Sequence, residues 1–559
     1  MSVKTILKNS YLYLFIYSIV FIIISFVSAN IASIIYDYPF HTGRIVGLAQ
    51  SLKNGDILPN LNYLFLKGSG YGLPMFYGNW MFYFPALVYL KTKVATFAFA
   101  TFVWQSTFAT SCTTYFVVNK MTEDKFRSFL AAIAVSCSVV YFGFGMTAVV
   151  PLIPLLLYSI YKVIYKNGLN PILLAVTIAL LVQTHIISTI VLAVFSFIIV
   201  LFNVMKLTYK KILSFISSIV ISLFLMAGFI FQYLEQSSSQ EFFVNWKLRD
   251  FPFPSDALAT ASGFLTNIVN YEKPLIVLLV IYLIYNYKIL SQFAKTLLMT
   301  TIVLFIMQSD IFPWNGLLRY TFLATLQDAR RLVFFVPSLM VIILVVTINK
   351  KMLRNIFVVQ LIIYILITLN YLPLANNIQE IRNTNYLAKK SFENLSEGGF
   401  DTSGDEYFNI SINHDNVRNG QLTKFDYNPD EVQVSNIRKT YNSLEFDVTR
   451  HDGEKSTEIV LPLTWYKGYT ASYSNGARGT QPAISYRTLS PEEVQMYKQQ
   501  RKPSLTTFAQ YDGRATIRVE NSGHVKIYYG KTGLQLLGYL LETVAFVVVI
   551  VWFLFEKRQ

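Results

Sequence analysis

Three ionisable side chains of different chemistry follow the first apolar stretch of the chain. Asp37, His41 and Arg44 stand in "IIYDYPFHTGRIVGLAQSLKNGD", which begins at Ile34. On a helix they would lie at i, i+4 and i+7 and share one face. A carboxylate can take a proton from an attacking hydroxyl, and a guanidinium can stabilise a phosphate that leaves. The alternative interpretation is an N-cap at Asp37 that begins an amphipathic interfacial helix.

A glycine-rich and aromatic segment follows, "FLKGSGYGLPMFYGNWMFYFPALVYL", from Phe65 to Leu90. Gly68, Gly70 and Gly72 allow the backbone to approach a ligand or another helix closely. The aromatic run after them is typical of a membrane interface. A connection of this size is rarely a plain connector, so the segment is a candidate substrate-facing loop.

Two further groups of candidates lie later in the chain. His185 stands in "LLVQTHIISTIV", and Arg330 and Arg331 stand in "LQDARRLVFF". Adjacent arginines on the outer side of a membrane go against the positive-inside rule, which makes them candidate phosphate ligands. The alternatives are headgroup anchoring for the arginines and an interhelical hydrogen bond for a neutral His185.

Three acids fall at predicted outer ends of apolar segments, namely Glu235, Asp310 and Glu542. Each is either a site residue or an ordinary solvated end. For Asp310 and Glu542 the solvated end is the favoured interpretation, because unpaired carboxylates are seldom buried.

The composition places these residues in a membrane protein. The chain has 559 residues, of which 53% are hydrophobic and 14% charged, and its mean hydropathy is +0.43. Long apolar runs recur, so we predict a polytopic α-helical membrane protein. The net charge of +15 does not indicate nucleic acid as a partner, because most basic residues outside the tail flank apolar segments. Cys112 and Cys137 fall within predicted spans, so no thiol chemistry is expected.

About twelve spans are predicted, and the basic residues between them alternate in position. The spans are 11–35, 94–118, 128–144, 148–165, 171–183, 186–205, 212–234, 274–287, 296–309, 332–348, 355–373 and 534–555. Lysine and arginine occur in every even-numbered connection. By the positive-inside rule both termini are cytoplasmic, in a multi-pass protein of the cell membrane.

This orientation places the large connections outside the cytoplasm. The helical domain, 1–373, has the external loops 36–93, 235–273 and 310–331, and residues 534–559 form the last span and its cytoplasmic end. The tail, 374–533, is polar and has alternating segments such as "SLEFDVTRHDG". This pattern predicts antiparallel strands in a β-sandwich-like extracytoplasmic domain.

The layout of residues 1–370 resembles the GT-C superfamily of membrane glycosyltransferases. More narrowly, "YDYPFHTGRIVGLAQSLKNGDILPN" with "GYGLPMFYGNWMFYFPALVYL" is similar to a bacterial multi-pass family whose label is membrane protein, 6-pyruvoyl-tetrahydropterin synthase-related. The β-rich tail also resembles the tails of Gram-positive lipoteichoic-acid glycosylating enzymes. We find neither a zinc triad nor a soluble pterin fold in the sequence, so that label implies no pterin chemistry.

The resemblance implies inverting transfer of a sugar from a polyprenyl-phosphate donor to an envelope glycan or teichoic-type acceptor outside the cytoplasm. It also implies an acid in the first loop as base or metal ligand, and Asp37 matches that position. Many members have two neighbouring acids there, whereas Tyr38 and Pro39 follow Asp37. A single carboxylate favours base catalysis without a cofactor and leaves a divalent metal open but not favoured. The expected donor-binding residues are His41, Arg44, His185, Arg330 and Arg331.

Two other classes of function stay open. One is a lipid-linked-glycan flippase or transporter, and the other is a non-catalytic scaffold whose tail binds envelope glycan. Transporters place polar groups near the membrane midplane, and the predicted spans have few charges in their interiors. This scarcity of interior charges argues against the transporter.

Overall fold

The chain is mostly helical, with a sheet-containing C-terminal region. The computed structural model describes residues 9–27, 38–138, 145–242, 281–309, 311–326, 329–333, 335–355, 357–359, 362, 375–395, 399–400, 407–412, 423–451, 456–473, 484–485, 490–499 and 513–556. The helices of these residues, in chain order, are α1 (Ser10–Val27), α2 (Tyr38–Lys53), α3 (Tyr83–Thr92), α4 (Ala95–Thr122), α5 (Lys125–Ser138), α6 (Gly145–Val149), α7 (Ile153–Lys166), α8 (Ile172–Thr184), α9 (Ile186–Phe202), α10 (Tyr209–Leu225), α11 (Ala227–Ser239), α12 (Gln292–Met307), α13 (Val336–Thr347), α14 (Ala375–Glu393), α15 (Pro491–Gln499) and α16 (Gly533–Glu556).

Several helices coincide with predicted spans. Helices α4, α8, α9 and α16 cover the segments predicted at 94–118, 171–183, 186–205 and 534–555 within a few residues. Helix α7 and the turns before it cover 148–165. Half of the predicted span at 274–287 and most of the one at 355–373 lie outside the described residues.

Length and composition identify few complete spans in the described part of the chain. Two helical stretches, Met146–Lys166 with 21 residues and Gly533–Phe555 with 23, are long and apolar enough to cross a membrane. The bent pair α10 and α11 would be a third if it is one span. Four apolar helices are shorter: Ser10–Ile23, Ile172–Thr184, Ile186–Phe202 and Gln292–Met307.

The segment predicted as a span at 212–234 is not one straight helix. Helix α10 ends at Leu225, and α11 begins at Ala227 after a bend of 70°. Side chains from two other helices replace the hydrogen bonds that a break removes. The Gln183 amide donates to the Leu225 carbonyl at 2.9 Å, and the Gly228 N–H donates to the Glu542 carboxylate at 2.9 Å. Because both freed backbone groups are paired, the bend is a stable feature of the packed helices.

The C-terminal region contains two antiparallel sheets. Its strands are β1 (Val432–Thr440), β2 (Ser443–Arg450), β3 (Thr457–Thr464), β4 (Tyr469–Tyr473), β5 (Ile484–Ser485), β6 (Arg514–Val519) and β7 (Gly523–Tyr529). The strand orders are β1-β2-β7-β4 and β3-β6-β5. Side chains of both sheets, such as Phe446 and Ile517, belong to one buried cluster. The two sheets therefore share one buried core.

The tail and the helical part are packed together. Helix α14 lies within the predicted tail, yet Asn385 on it donates to the Thr96 hydroxyl of α4 at 2.6 Å. Phe392 of α14 also packs edge-on against Tyr89, with ring centres 5.3 Å apart. The division at residue 374 is therefore a change in composition and not a break in packing.

Candidate anion-binding site

Helix α2 carries the first group of candidate residues and forms where the sequence predicts it. It begins at Tyr38, and Pro39 lies in its first turn, where a missing backbone N–H costs nothing. The predicted catalytic carboxylate, Asp37, lies outside the described residues. His41 and Arg44 share one face of the helix, as predicted, and both are 2% exposed.

The helix does not have the solvated polar face of an interfacial helix. Every residue from His41 to Ser51 is buried, including Thr42 and Gln50. It packs with the Phe65 and Tyr71 side chains of the following loop and with Phe99 of α4. The interfacial alternative therefore does not describe α2.

Arg44 is fixed by the loop that follows α2. Its Nη2 donates to the carbonyl oxygens of Tyr77 at 3.1 Å and Gly78 at 2.8 Å, and lies 3.3 Å from the Asn79 side-chain oxygen. The guanidinium carbon lies 4.0 Å from the ring centre of Tyr77 and 4.5 Å from that of Phe82. Carbonyl dipoles and aromatic faces stabilise a buried cation without neutralising it.

The charge of Arg44 has no carboxylate partner among the described residues. Its Nε–H is buried and likewise has no hydrogen-bond partner in that part of the chain. Burial lowers the pKa of Arg44 to about 10, so the guanidinium still carries its charge at neutral pH. A buried, charged and incompletely paired arginine suits an anionic ligand, because a buried charge is costly unless something compensates it.

His41 is a neutral neighbour of this cation. Its Nδ1 lies 3.4 Å from Nη1 of Arg44, and a guanidinium has only donors, so Nδ1 accepts. Burial, followed by the charge of Arg44, holds the pKa of His41 well below its ordinary value. The imidazole is therefore uncharged at neutral pH and carries its proton on Nε2.

His185 approaches the same place from the junction of α8 and α9. Its ring centre lies 5.3 Å from that of Tyr77, which also contacts Arg44. The Ser188 N–H donates to Nδ1 of His185 at 3.2 Å, so His185 is the N-cap of α9. Deep placement in the protein, then the charges of Arg331 and Arg44, lower its pKa to about 3. His185 is thus also neutral, with its proton on Nε2.

The paired arginines lie on a short turn of 3-10 helix, Ala329–Val333. Arg331 is close enough to His185 for its charge to lower the pKa of that imidazole. The side chain of Arg330 lies outside the described part of the structure. Four of the predicted site residues, His41, Arg44, His185 and Arg331, therefore lie in one neighbourhood, although up to 290 positions separate them in the sequence.

The glycines at 68, 70 and 72 do not face this cluster. A β-carbon at Gly72 would lie 2.5 Å from the Tyr466 ring, and one at Gly68 would lie 3.2 Å from the Lys439 amine. The Thr464 N–H also donates to the Ser69 carbonyl at 3.1 Å. Strand β1 and the turn after β3 therefore make part of the close approach at Gly68 and Gly72, whereas the atoms nearest to Gly70 belong to Tyr63.

A different glycine supports the site. The Gly78 carbonyl accepts from Arg44, and a β-carbon at this position would lie 1.8 Å from the Gln183 carbonyl oxygen. Only glycine permits this contact between the loop after α2 and the end of α8. The functional roles of Tyr77, Gly78 and Asn79 were missed in the sequence. The one signal was their position in the quoted aromatic run.

The acids of the predicted outer ends have different surroundings from those expected. Glu542 is not a solvated end, because its carboxylate accepts from the Gly228 N–H and from Gln183 at the bend between α10 and α11. Glu235 is 5% exposed and accepts from Thr532 at 2.8 Å and from Gln535 at 3.0 Å. Asp310 lies outside the described residues.

Comparison with known proteins gave no relative. No family model, no curated protein and no solved structure matches the chain.

Proposed function

We propose that the chain is a membrane glycosyltransferase that moves a sugar from a polyprenyl-phosphate donor to an envelope glycan or teichoic-type acceptor. The observation that carries the proposal is the buried Arg44, which has no carboxylate partner in the described residues. It lies among His41, Tyr77 and His185, within the electrostatic range of Arg331. A phosphate anion supplies the missing negative charge, and this donor class leaves a phosphate at the end of the transfer.

The proposed transfer is a single displacement. The acceptor hydroxyl oxygen bonds to the anomeric carbon, and the bond from that carbon to the phosphate oxygen breaks. The electron pair of the broken bond leaves with the polyprenyl phosphate, and the carboxylate of Asp37 takes the hydroxyl proton. Arg44 and Arg331 stabilise the phosphate as its negative charge grows, and this stabilisation is stronger in the transition state than in the substrate.

The proposal includes an α-helical membrane domain of about twelve spans, GT-C-like, with both termini cytoplasmic. The helical stretches Met146–Lys166 and Gly533–Phe555, both long and apolar, support it, as do the shorter apolar helices. Reporters that are active only in the cytoplasm, fused after Lys351 and after Gly453, test the orientation. We expect a signal from the first fusion alone. A signal from the second would place the C-terminal sheets in the cytoplasm and remove the proposed reaction.

A lipid-linked-glycan transporter is the second candidate, and one observation favours it. The broken helix α10–α11 resembles the discontinuous helices that form transporter sites. However, the Gly228 N–H at the N-terminus of α11 already donates to the carboxylate of Glu542. This backbone donor is therefore not free to bind a substrate anion.

A reconstituted assay separates the two candidates. Purified protein in lipid vesicles is given a panel of radiolabelled polyprenyl-phosphate sugars and an envelope-glycan fraction on the same side of the membrane. A glycosyltransferase converts label into the glycan and releases polyprenyl phosphate. A transporter moves label across the membrane and makes no new glycosidic bond. If no donor in the panel gives sugar transfer to the glycan, the proposed enzyme activity is refuted.

A further inference from the structure

Two histidines of the anion-binding site have the same protonation pattern for two independent reasons. Nδ1 of His41 accepts from a guanidinium, which can only donate, and Nδ1 of His185 accepts from a backbone N–H. An imidazole whose Nδ1 accepts holds its ring proton on Nε2. Among the described residues, neither Nε2 has a hydrogen-bond partner. Both rings therefore have an N–H donor that no acceptor in the described part of the chain uses.

The surroundings keep both rings uncharged. His41 contacts Arg44 and Tyr77 and interacts electrostatically with His185. His185 contacts Tyr77 and interacts electrostatically with Arg44 and Arg331. The described groups that act on them are therefore cations or neutral rings, so a second proton on either imidazole would be repelled. The charge of the cluster comes from its guanidinium groups alone.

We infer that His41 and His185 bind the lipid-linked phosphate as neutral imidazoles, each donating its Nε2–H to a phosphate oxygen. This inference rests on the proposed function, because it takes the phosphate of a polyprenyl-phosphate sugar as the ligand. The donor is a phosphodiester with one negative charge, and the product is a monoester with up to two. The two guanidinium groups supply two positive charges, which match the charge of the product anion. Two further imidazolium charges would bind this anion too tightly, whereas neutral imidazoles allow polyprenyl phosphate to leave.

The neutral donors also separate two properties of the site. Hydrogen bonds from the imidazoles orient the phosphate, and the arginines supply the charge. Affinity for a phosphate of fixed charge should then stay constant over the pH range in which an ordinary histidine titrates. If imidazolium groups bound the phosphate instead, affinity would increase as the pH falls through about 6.5.

The test uses a short-chain prenyl methyl phosphate, a diester that keeps one negative charge, with the full-length protein in detergent. Binding is measured between pH 5.5 and 8 by intrinsic fluorescence or calorimetry. The key variant is His185→Asn, because an asparagine oxygen can replace Nδ1 as the cap of α9 but brings no donor to the Nε2 position. We expect wild-type affinity to be flat with pH. We expect His185→Asn to bind the diester roughly tenfold to hundredfold more weakly at every pH, because one hydrogen bond to a charged group is lost.

His41 gives a second pair of variants on another helix, which keeps the test valid if His185→Asn does not fold. His41→Gln keeps a side-chain N–H and should retain most of the affinity, whereas His41→Leu should lose it. His524→Asn is the control, because His524 pairs with Asp447 in the C-terminal sheets at 2.7 Å. Melting temperatures show which variants are folded.

The outcomes distinguish the two levels of the proposal. Wild-type binding with unchanged affinity in folded His185→Asn and His41→Leu overturns the role of the histidines and leaves the proposed function intact. Affinity that increases on acidification in the wild type and not in His185→Asn also overturns it, because the ring would then bind as a cation. A wild-type protein that does not bind the diester at all refutes both the histidine donors and the phosphate site on which the proposed function depends.

Discussion

Arg44 and Gly78 are joined by a hydrogen bond of 2.8 Å from Nη2 to the carbonyl oxygen, and the other side of Gly78 lies directly against the Gln183 carbonyl. This one glycine therefore connects helix α2 to the end of α8. His185 is the residue that directly follows α8. The distance between Arg44 and His185 depends on that contact. Side chains from three separate parts of the sequence meet because residue 78 has no β-carbon.

Gly78→Ala should separate the two halves of the site. Its methyl group would lie 1.8 Å from the Gln183 oxygen, a distance that requires backbone movement. Overpacking of this kind typically costs about 1–3 kcal/mol. We expect a lower melting temperature and a loss of phosphate-diester binding. Gly533→Ala is the matched control, because a β-carbon there meets nothing within 4 Å and should change stability by less than about 0.5 kcal/mol. Equal behaviour of the two variants would contradict the packing role of Gly78.

Substitution of Arg44 should affect binding more than stability. Arg44→Met orphans the Tyr77 and Gly78 carbonyls, which costs about 1–3 kcal/mol, but it also removes a buried charge whose desolvation costs a similar amount. We expect thermal stability within about 1 kcal/mol of the wild type and at least a tenfold loss of diester affinity. Arg44→Lys should bind almost as poorly, because an ammonium cannot reproduce the planar contacts with two carbonyls and two rings.

The result that would remove Arg44 from the site is the reverse pattern. A Met variant that unfolds easily yet binds the diester normally when folded would make Arg44 a structural brace of the Tyr77–Asn79 loop.

Glu542 should be a structural residue of the bend between α10 and α11. Glu542→Leu leaves the Gly228 N–H and one Gln183 donor without their acceptor, at about 1–3 kcal/mol for each buried group. Glu542→Gln keeps an acceptor oxygen and should cost less than half as much. Thermal unfolding in detergent measures both, and Thr543→Val on the exposed side of the same helix is the control. If Gln is as damaging as Leu while both remain folded and inactive, the carboxylate charge itself has a function.

Acid should destabilise the folded protein through its neutral histidines. The pKa of His185 is lowered by burial from an ordinary 6.5 to about 3, so between these values the unfolded chain binds a proton that the folded chain does not. This contribution to stability is complete above pH 6.5 and is lost progressively as the pH falls toward 3, and His41 acts in the same direction. His185→Asn should therefore lose less melting temperature than the wild type between pH 7.5 and 5. Parallel pH profiles of the two proteins would show that His185 is protonated in the folded state.

Local patterns predicted much of the helical layout and one face of the site. The i and i+3 spacing of His41 and Arg44 places them together on any helix, and their contact at 3.4 Å follows from α2 alone. The alternating pattern of the tail likewise predicted its antiparallel strands, because a strand with one buried face has a period of two.

Long-range contacts account for what the sequence did not predict. The apolar run at 212–234 gives no sign of a break, because the groups that stabilise it, Gln183 and Glu542, come from distant helices. Glycines 68, 70 and 72 mark a close approach correctly, but a glycine does not specify its neighbour, and here the neighbour is another part of the same chain. For the same reason nothing in the sequence distinguishes Gly78 from the three other glycines of its segment.

Asp37 is the residue on which the proposed chemistry depends, and two substitutions separate its possible roles. It directly precedes α2 and lies four positions before His41 in the sequence. Asp37→Asn keeps a good N-cap, since asparagine and aspartate cap helices about equally, but it removes the proton acceptor. We expect normal thermal stability and a transfer rate reduced roughly 10²–10⁴-fold, the usual contribution of a general base. Asp37→Ala should be equally inactive and also less stable by roughly 1 kcal/mol.

If the carboxylate of Asp37 served only as a cap, the Asn variant would be active and the Ala variant alone would be impaired. Sugar transfer and melting temperature, measured on both variants in parallel, decide between base and cap, and sensitivity of the wild type to a chelator would identify a metal ligand instead.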